Sequence, residues 1–326
     1  GCALADRHWI WALFAVRKFQ RGTWRAMARG RSVDLDRRIE PLGLVADFDK
    51  PILMSADRPI GVFDSGIGGL TVLRAIQTLL PEERFVYLGD TARLPYGAKS
   101  PETVTRYATQ ATRALMRYDV KMVVIACNTA SAVALPVVRA ALDPVPVAGV
   151  VEPGARAAVA ASATGRIGVL ATEGTVRGGA YVRAIHALRP TAHVAQAACP
   201  LFVALAEEGW TGGDVPRLAA ERYVRPLTGQ DGVDTLVLGC THFPLLAEAI
   251  ATAAGAGIML VDSAATTAIE VQASLSARGL LRAGGGRAVK FLATDAPERF
   301  ARVGAAFLGQ EIDPADVELI DLSPSA

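Results

Sequence analysis

KMVVIACNTAS, Lys121 to Ser131, is an apolar run of strand character that ends in Cys127 and passes at once to Asn128 and Thr129. A second stretch of the same build, DTLVLGCTHFPL from Asp234 to Leu245, delivers Cys240 into a turn with Thr241, His242 and Pro244. Short apolar runs bounded by turn residues read as buried strands of a parallel sheet. Strands alternating with helical stretches rich in Ala, Leu, Val and Arg make the chain α/β. The two thiols are expected to face each other.

Working outward, RPIGVFDSGIGGLTVLRAI (Arg58–Ile76) puts a strand before Asp64, Ser65 and the glycines Gly66, Gly68 and Gly69, and then a helix with Leu70, Leu73 and Ile76 on one face. Such a turn lets backbone N–H groups approach an anion at the helix N-terminus, but it lacks the full dinucleotide fingerprint. The loop DTARLPYGAKS (Asp90–Ser100) is expected to place the Tyr96 hydroxyl and the Gly97 N–H at the mouth of the strand-end crevice. GRIGVLATEGTVRGGAYVRAI (Gly165–Ile185) then restates the opening stretch: Ile60 pairs with Ile167 and Arg74 with Arg183, at offsets of 107 and 109, against 113 for the two cysteines. That is a diverged internal repeat. It predicts two pseudosymmetric, doubly wound α/β lobes with parallel sheets and an active site in the cleft between them. Residues 55–150 plus 263–326 are assigned to the first lobe and 151–262 to the second. Asp64-Ser65-Gly66 is answered by Ala171-Thr172-Glu173, so the acidic group is not duplicated.

At 326 residues, 51% hydrophobic and 20% charged, the composition is that of a globular protein. The net charge of +2 hides an asymmetry. Residues 1–54 hold ten Lys/Arg against six Asp/Glu, leaving 24 against 26 elsewhere, so the body offers no nucleic-acid surface. The leading segment also holds Trp9, Trp11 and Trp24, and its apolar stretch from Trp9 to Val16 is far shorter than the roughly 20 residues of a membrane span. No small-residue cleavage site marks a signal peptide. It reads as a leader, disordered or not native, or as an amphipathic helix that packs on the body or binds a regulator. Four scattered cysteines without CxxC or Cys/His zinc spacing argue against a disulfide framework and a metal site, and fit a reducing cytoplasmic setting.

Cys199, in AACPLF, reads as a core hydrophobe. Cys127 and Cys240 differ, because each follows a strand, sits beside polar residues and precedes a helix. There the helix dipole is expected to lower a thiol pKa from about 8.5 toward the working range. Two weak bases on opposite sides of a cleft suit inversion at carbon: one takes the Cα proton while the other supplies one to the opposite face. The carbanion then needs donors on the α-carboxylate, and Ser65, Asn128, Thr129 and Thr241 qualify. No lysine stands in a recognisable pyridoxal-phosphate setting.

The set FDSGIGGL, GDTARLPYG, ACNTAS, VEPG and GCTHFPLL, in this order, resembles the glutamate racemases of the cofactor-independent aspartate/glutamate racemase superfamily, from about Arg58 to beyond Asp262. The resemblance implies an enzyme that interconverts L- and D-glutamate without cofactor and supplies D-glutamate for bacterial peptidoglycan. It implies Cys127 and Cys240 as the bases, with Asp64, Glu152 and His242 poising the thiols. Asp64-Ser65, Tyr96-Gly97, Asn128-Thr129 and Thr241-His242 would hold substrate. A homodimer is implied, and the leader invites an activator drawn from the cell-wall precursors. Taken singly, Asp64 and His242 could instead cap helices and Glu152 could be a turn residue. Three rival readings stand beside this one: an aspartate racemase, a two-lobed binding protein for an acidic amino acid, and a redox-sensing thiol pair.

Overall fold

A computed structural model describes residues 54–322. The expected leader lies outside the described residues, Met54 excepted. The first sheet is built from β1 (Ile60–Asp64), β2 (Arg84–Gly89), β3 (Met122–Ile125), β4 (Val147–Gly149), β9 (Ala288–Ala293) and β10 (Val317–Leu319), in the order β10-β9-β2-β1-β3-β4. The second is built from β5 (Arg166–Ala171), β6 (His193–Ala198), β7 (Thr235–Gly239) and β8 (Met259–Asp262), in the order β6-β5-β7-β8. Every pairing is parallel. The doubly wound α/β class is therefore as the sequence indicates. The repeat is visible in topology as well, because β2-β1-β3-β4 and β6-β5-β7-β8 run through equivalent positions.

Parallel strands need crossovers, and helices supply them. In chain order these are α1 (Leu70–Leu79), α2 (Pro101–Met116), α3 (Asn128–Leu142), α4 (Val151–Ala161), α5 (Glu173–Gly178), α6 (Ala180–Leu188), α7 (Pro200–Glu207), α8 (Asp214–Arg225), α9 (Ala247–Ala254), α10 (Ser263–Ala277) and α11 (Pro297–Leu308). Strand β1 is buried along its whole length, so it reads as an unbroken apolar run rather than an alternation. Helix α2 starts where Ser100 accepts from the Thr103 N–H and Pro101 takes the first position. After Cys240 the chain makes a 3₁₀ turn, Phe243–Leu246, before the regular helix α9 begins at Ala247.

Register decides what the carboxyl ends of the strands present. Phe63 pairs with Ile125 and Asp64 with Gly89, which sets Asp64 beside Ala126, one residue from Cys127. In the second sheet Ala171 pairs with Gly239, which brings Thr172 next to Cys240. Each thiol thus leaves the sheet at an equivalent strand end. At the opposite, amino-terminal edge of the first sheet, buried Lys121 Nζ donates to Glu83 Oε2 at 2.6 Å and to the Leu280 carbonyl at 2.8 Å. That charge cluster ties β3 to the end of α10 and lies away from the thiols.

Candidate active site

Cys127 is the residue before α3, and its Sγ accepts from the Ala130 N–H at 3.4 Å. The thiol is 5% exposed. Burial, then the negative charge of Asp64, push its pKa up to about 12, against the hydrogen bonds from Ser65 and Ala130. The charge of Cys240 pushes the same way, so the two thiols share one electrostatic environment. The helix N-terminus was expected to bring this pKa down. One N–H at 3.4 Å does not offset desolvation beside a carboxylate.

Asp64 is buried. Its Oδ2 accepts from the Gly66 N–H at 2.9 Å, while Oδ1 has no partner. Burial raises its pKa, opposed first by the charge of His242 and then by backbone N–H groups of the glycine turn. Asn128 Oδ1 accepts from the Tyr181 hydroxyl at 2.7 Å, and its Nδ2 is buried and unpartnered. A free acceptor and a free donor therefore stand beside Cys127, and such buried orphans call for a polar ligand.

Cys240 follows β7, with Sγ 3.7 Å from His242 Nδ1. His242 Nε2 lies 3.0 Å from Glu207 Oε1, and Glu207 Oε2 accepts from Arg299 Nη2 at 2.7 Å. Burial alone would lower the His242 pKa, but Cys240 and Glu207 hold it up at about 10. Burial would raise Glu207, yet His242 and Arg299 bring it to about 2. The arrangement is a thiol, an imidazole and a carboxylate in series, with the carboxylate anchored at its far end.

The two strand ends interlock. Thr71 of α1 donates to the Thr241 carbonyl at 3.0 Å, and the Thr129 hydroxyl meets those of Thr172 and Thr175 at 2.9 and 3.3 Å. Glycine is required where the backbones meet. A Cβ on Gly174 would lie 2.8 Å from the Gly97 carbonyl oxygen, and one on Gly97 would lie 2.9 Å from Thr172 Cβ.

The structure thus gathers Asp64, Ser65, Asn128, Thr129, Thr241, His242, Gly97 and the two thiols at one place. Two expectations need correction. The Tyr96 hydroxyl does not open on the cleft: it is bonded to Asp90, which also binds Arg93 and Thr294. Glu152 stands in the first turn of α4, paired with Arg139 at 2.9 Å, with 45% of its side chain exposed. The carboxylate on His242 is Glu207, which the sequence reading overlooked. Its available signal was position, at the end of the helix that follows β6 in the second repeat. Among the described residues no group of three or more His, Cys, Asp or Glu side chains could hold a metal ion, and no helix is long and apolar enough to cross a membrane.

Comparison with known proteins returns one family. The model described as Asp/Glu/Hydantoin racemase matches residues 60–271. The chain is 50% identical over 256 residues to the glutamate racemase of Geobacter metallireducens, spanning 78% of this chain and 94% of that protein. The crystal structure of the glutamate racemase of Francisella tularensis in complex with D-glutamate aligns with a TM-score of 0.76 at 35% identity, over 82% of this chain and 99% of that one. The Escherichia coli glutamate racemase, in complex with L-glutamate and the activator UDP-MurNAc-ala, aligns with a TM-score of 0.62 at 34% identity, over 77% and 95%.

Proposed function

The chain belongs to the glutamate racemases of the Asp/Glu/Hydantoin racemase family, and from that premise we propose that it interconverts L- and D-glutamate by proton transfer at Cα between Cys127 and Cys240. The observation that carries this reading is the pair of thiols at equivalent strand ends, each coupled to a carboxylate, buried Asp64 on one side and part-buried Glu207 on the other. Asp64 acts on Cys127 directly, and Glu207 acts on Cys240 through His242.

One thiolate removes the Cα proton and becomes a thiol. The electron pair left on Cα spreads into the α-carboxylate. The opposite thiol then gives its proton to the other face of Cα and becomes the thiolate, so the product is the mirror image and the charge on the pair is conserved. The difficulty is the weak acidity of an amino-acid Cα. It is met by donors placed where charge develops and by holding the carbon between the two sulfurs. The free Asn128 Nδ2 suits a substrate carboxylate and the free Asp64 Oδ1 suits the ammonium. Ser65, Thr129, Thr241 and the backbone at Tyr96–Gly97 complete the lining. Glu207 and His242 hold the side of Cys240.

D-Glutamate made in this way feeds peptidoglycan synthesis in the cytoplasm, with the protein acting as a homodimer. The activator bound by the Escherichia coli relative makes a nucleotide-linked wall precursor the first effector to try.

The test is the reduced full chain with L-glutamate in D2O, without added cofactor, following D-glutamate and deuterium at Cα. Appearance of both supports the reading, and loss of racemisation in Cys127→Ala and in Cys240→Ala supports the two-thiol step. Full activity in either variant sinks that step. No exchange from L-glutamate sinks the activity itself, and L-aspartate in parallel separates the aspartate alternative.

A further inference from the structure

Glu207 is the last residue of α7 in the second half of the fold, and both of its oxygens are engaged. Oε1 meets His242 Nε2 at 3.0 Å, and Oε2 accepts from Arg299 Nη2 at 2.7 Å. Arg299 comes from the other half. It rides on α11, whose Phe300 ring packs against Tyr87 and Phe291 of the first sheet at 5.8 and 6.0 Å. Close packing fixes this helix further: a Cβ on Gly304 would lie 2.7 Å from Leu70 Cδ1 of α1. The same helix sets the Phe307 ring edge-on to His242, with centroids 5.1 Å apart. Helix α11 therefore touches the imidazole directly through Phe307 and indirectly through Arg299 and Glu207.

We propose that Arg299 is a positioning residue for the reaction at Cys240. The role rests on the two-thiol reading above: Arg299 holds Glu207, and through it the His242 ring, in the orientation that meets Cys240. The Arg299 side chain is 39% exposed, and an ion pair so placed contributes little to stability. What it supplies is orientation. A carboxylate held at both oxygens cannot rotate away from the imidazole, and the imidazole is what meets Cys240 Sγ.

The experiment compares wild type, Arg299→Ala, Arg299→Lys, Glu207→Gln and the double variant Arg299→Ala/Glu207→Gln. It reads kcat, KM and thermal midpoint, together with the rates at which iodoacetamide labels Cys240 and Cys127 without glutamate. Arg299→Ala is expected to lower kcat by about 10- to 100-fold with KM changed less than about threefold, the effect of misplacing a catalytic group from outside its contacts. Arg299→Lys, which keeps a cation within reach of one oxygen, recovers most of that loss. In the Glu207→Gln background the Arg299→Ala loss disappears, because both act through one path. The labelling ratio of Cys240 to Cys127 falls by about threefold or more in Arg299→Ala, Cys127 serving as the internal standard. Wild-type kcat in Arg299→Ala, an undiminished loss in the Glu207→Gln background, or an unchanged labelling ratio each overturns the proposal. The ratio is read without turnover, so a chain inactive on glutamate would sink the parent reading while leaving the role of Arg299 to be decided by the labelling.

Discussion

Replacing Gly68 by alanine tests the geometry of the site through a single added carbon. A Cβ there would lie 2.4 Å from His242 Cε1, 2.5 Å from Nδ1 and 2.5 Å from Thr241 Oγ1. Unstrained contacts between heavy atoms sit near 3.5–4.0 Å, so the ring must move by about 1 Å. Gly68 is outside the left-handed region of backbone space, and the conflict is therefore one of side chains alone. His242 has nowhere to retreat, with Phe307 edge-on at 5.1 Å and Glu207 Oε1 at 3.0 Å on Nε2. A 1 Å shift takes that hydrogen bond beyond its working range of about 3.2 Å.

Overpacking costs about 1–3 kcal/mol and a lost hydrogen bond to a charged group about 1.5–3 kcal/mol; sharing one displacement, they combine to about 2–4 kcal/mol. For a body of this size that lowers the thermal midpoint by roughly 4–16 °C. Racemisation falls about 100-fold, since the imidazole no longer meets Cys240. Calorimetry and the D2O exchange assay read the two effects. Gly66→Ala is the matched control, because its Cβ would meet only Leu94 Cδ2 at 3.4 Å, and its stability stays within about 0.5 kcal/mol of wild type. A Gly68→Ala protein with wild-type midpoint and kcat would refute the placement of His242 against the glycine turn.

The Glu207–His242 contact also has a pH signature. His242 is raised from 6.5 to about 10, so its contribution to stability is complete below pH 6.5 and is lost as pH climbs through about 10. Glu207 is lowered from 4.5 to about 2, so its contribution is complete above pH 4.5 and is lost as pH falls through about 2. The stability gap between wild type and Glu207→Gln, read by urea unfolding, is therefore widest between pH 4.5 and 6.5 and closes toward pH 10; a gap constant from pH 5 to 10 contradicts the pairing. Tyr96→Phe removes a hydroxyl bonded to Asp90 and not to the cleft, so it costs about 1–3 kcal/mol of stability while KM for glutamate changes less than about threefold. A large rise in KM would return the hydroxyl to the substrate.

What the sequence made legible, and what it hid, follows from range. The runs before Cys127 and Cys240 announce themselves because a strand buried on both faces needs a continuous apolar stretch, and the repeat fixes their equivalence. Glu207 was hidden for the opposite reason. It ends α7, after a strand β6 that is exposed or only half-buried and built from HVAQAA, without the branched run that marks β3 and β7. Its partners are His242, 35 positions on, and Arg299, 92 positions on. A glutamate at a helix end looks solvated until those partners are placed. Glu152 was attractive through its motif, yet Arg139 stands within reach on the preceding helix and takes its charge. Tyr96 was read from its loop, whereas its rotamer is decided by Asp90 at the end of β2.

The Cys127 pKa shows local and tertiary rules in competition, and Asp64→Asn separates them. With the thiol near 12, only about one molecule in a thousand carries the Cys127 thiolate at pH 9. Burial is the larger cause and the Asp64 charge the next. Neutralising Asp64 removes the second and leaves the first, so Cys127 should react about tenfold or more faster with iodoacetamide at pH 9 while remaining slower than an ordinary exposed thiol. An unchanged rate means that Asp64 does not act on the sulfur; a fully ordinary rate means that burial never did. The result bears on the proposed reaction because a substrate ammonium on the free Asp64 Oδ1 would cancel the same charge. Binding would then ease ionisation of Cys127 at the moment a base or a recovering thiolate is wanted there. In the free protein, burial and then the Asp64 charge keep that sulfur protonated. A sulfur that is neutral in the free protein and eased by the substrate ammonium in the complex would supply both the donor and the base that the proposed Cα inversion asks of Cys127.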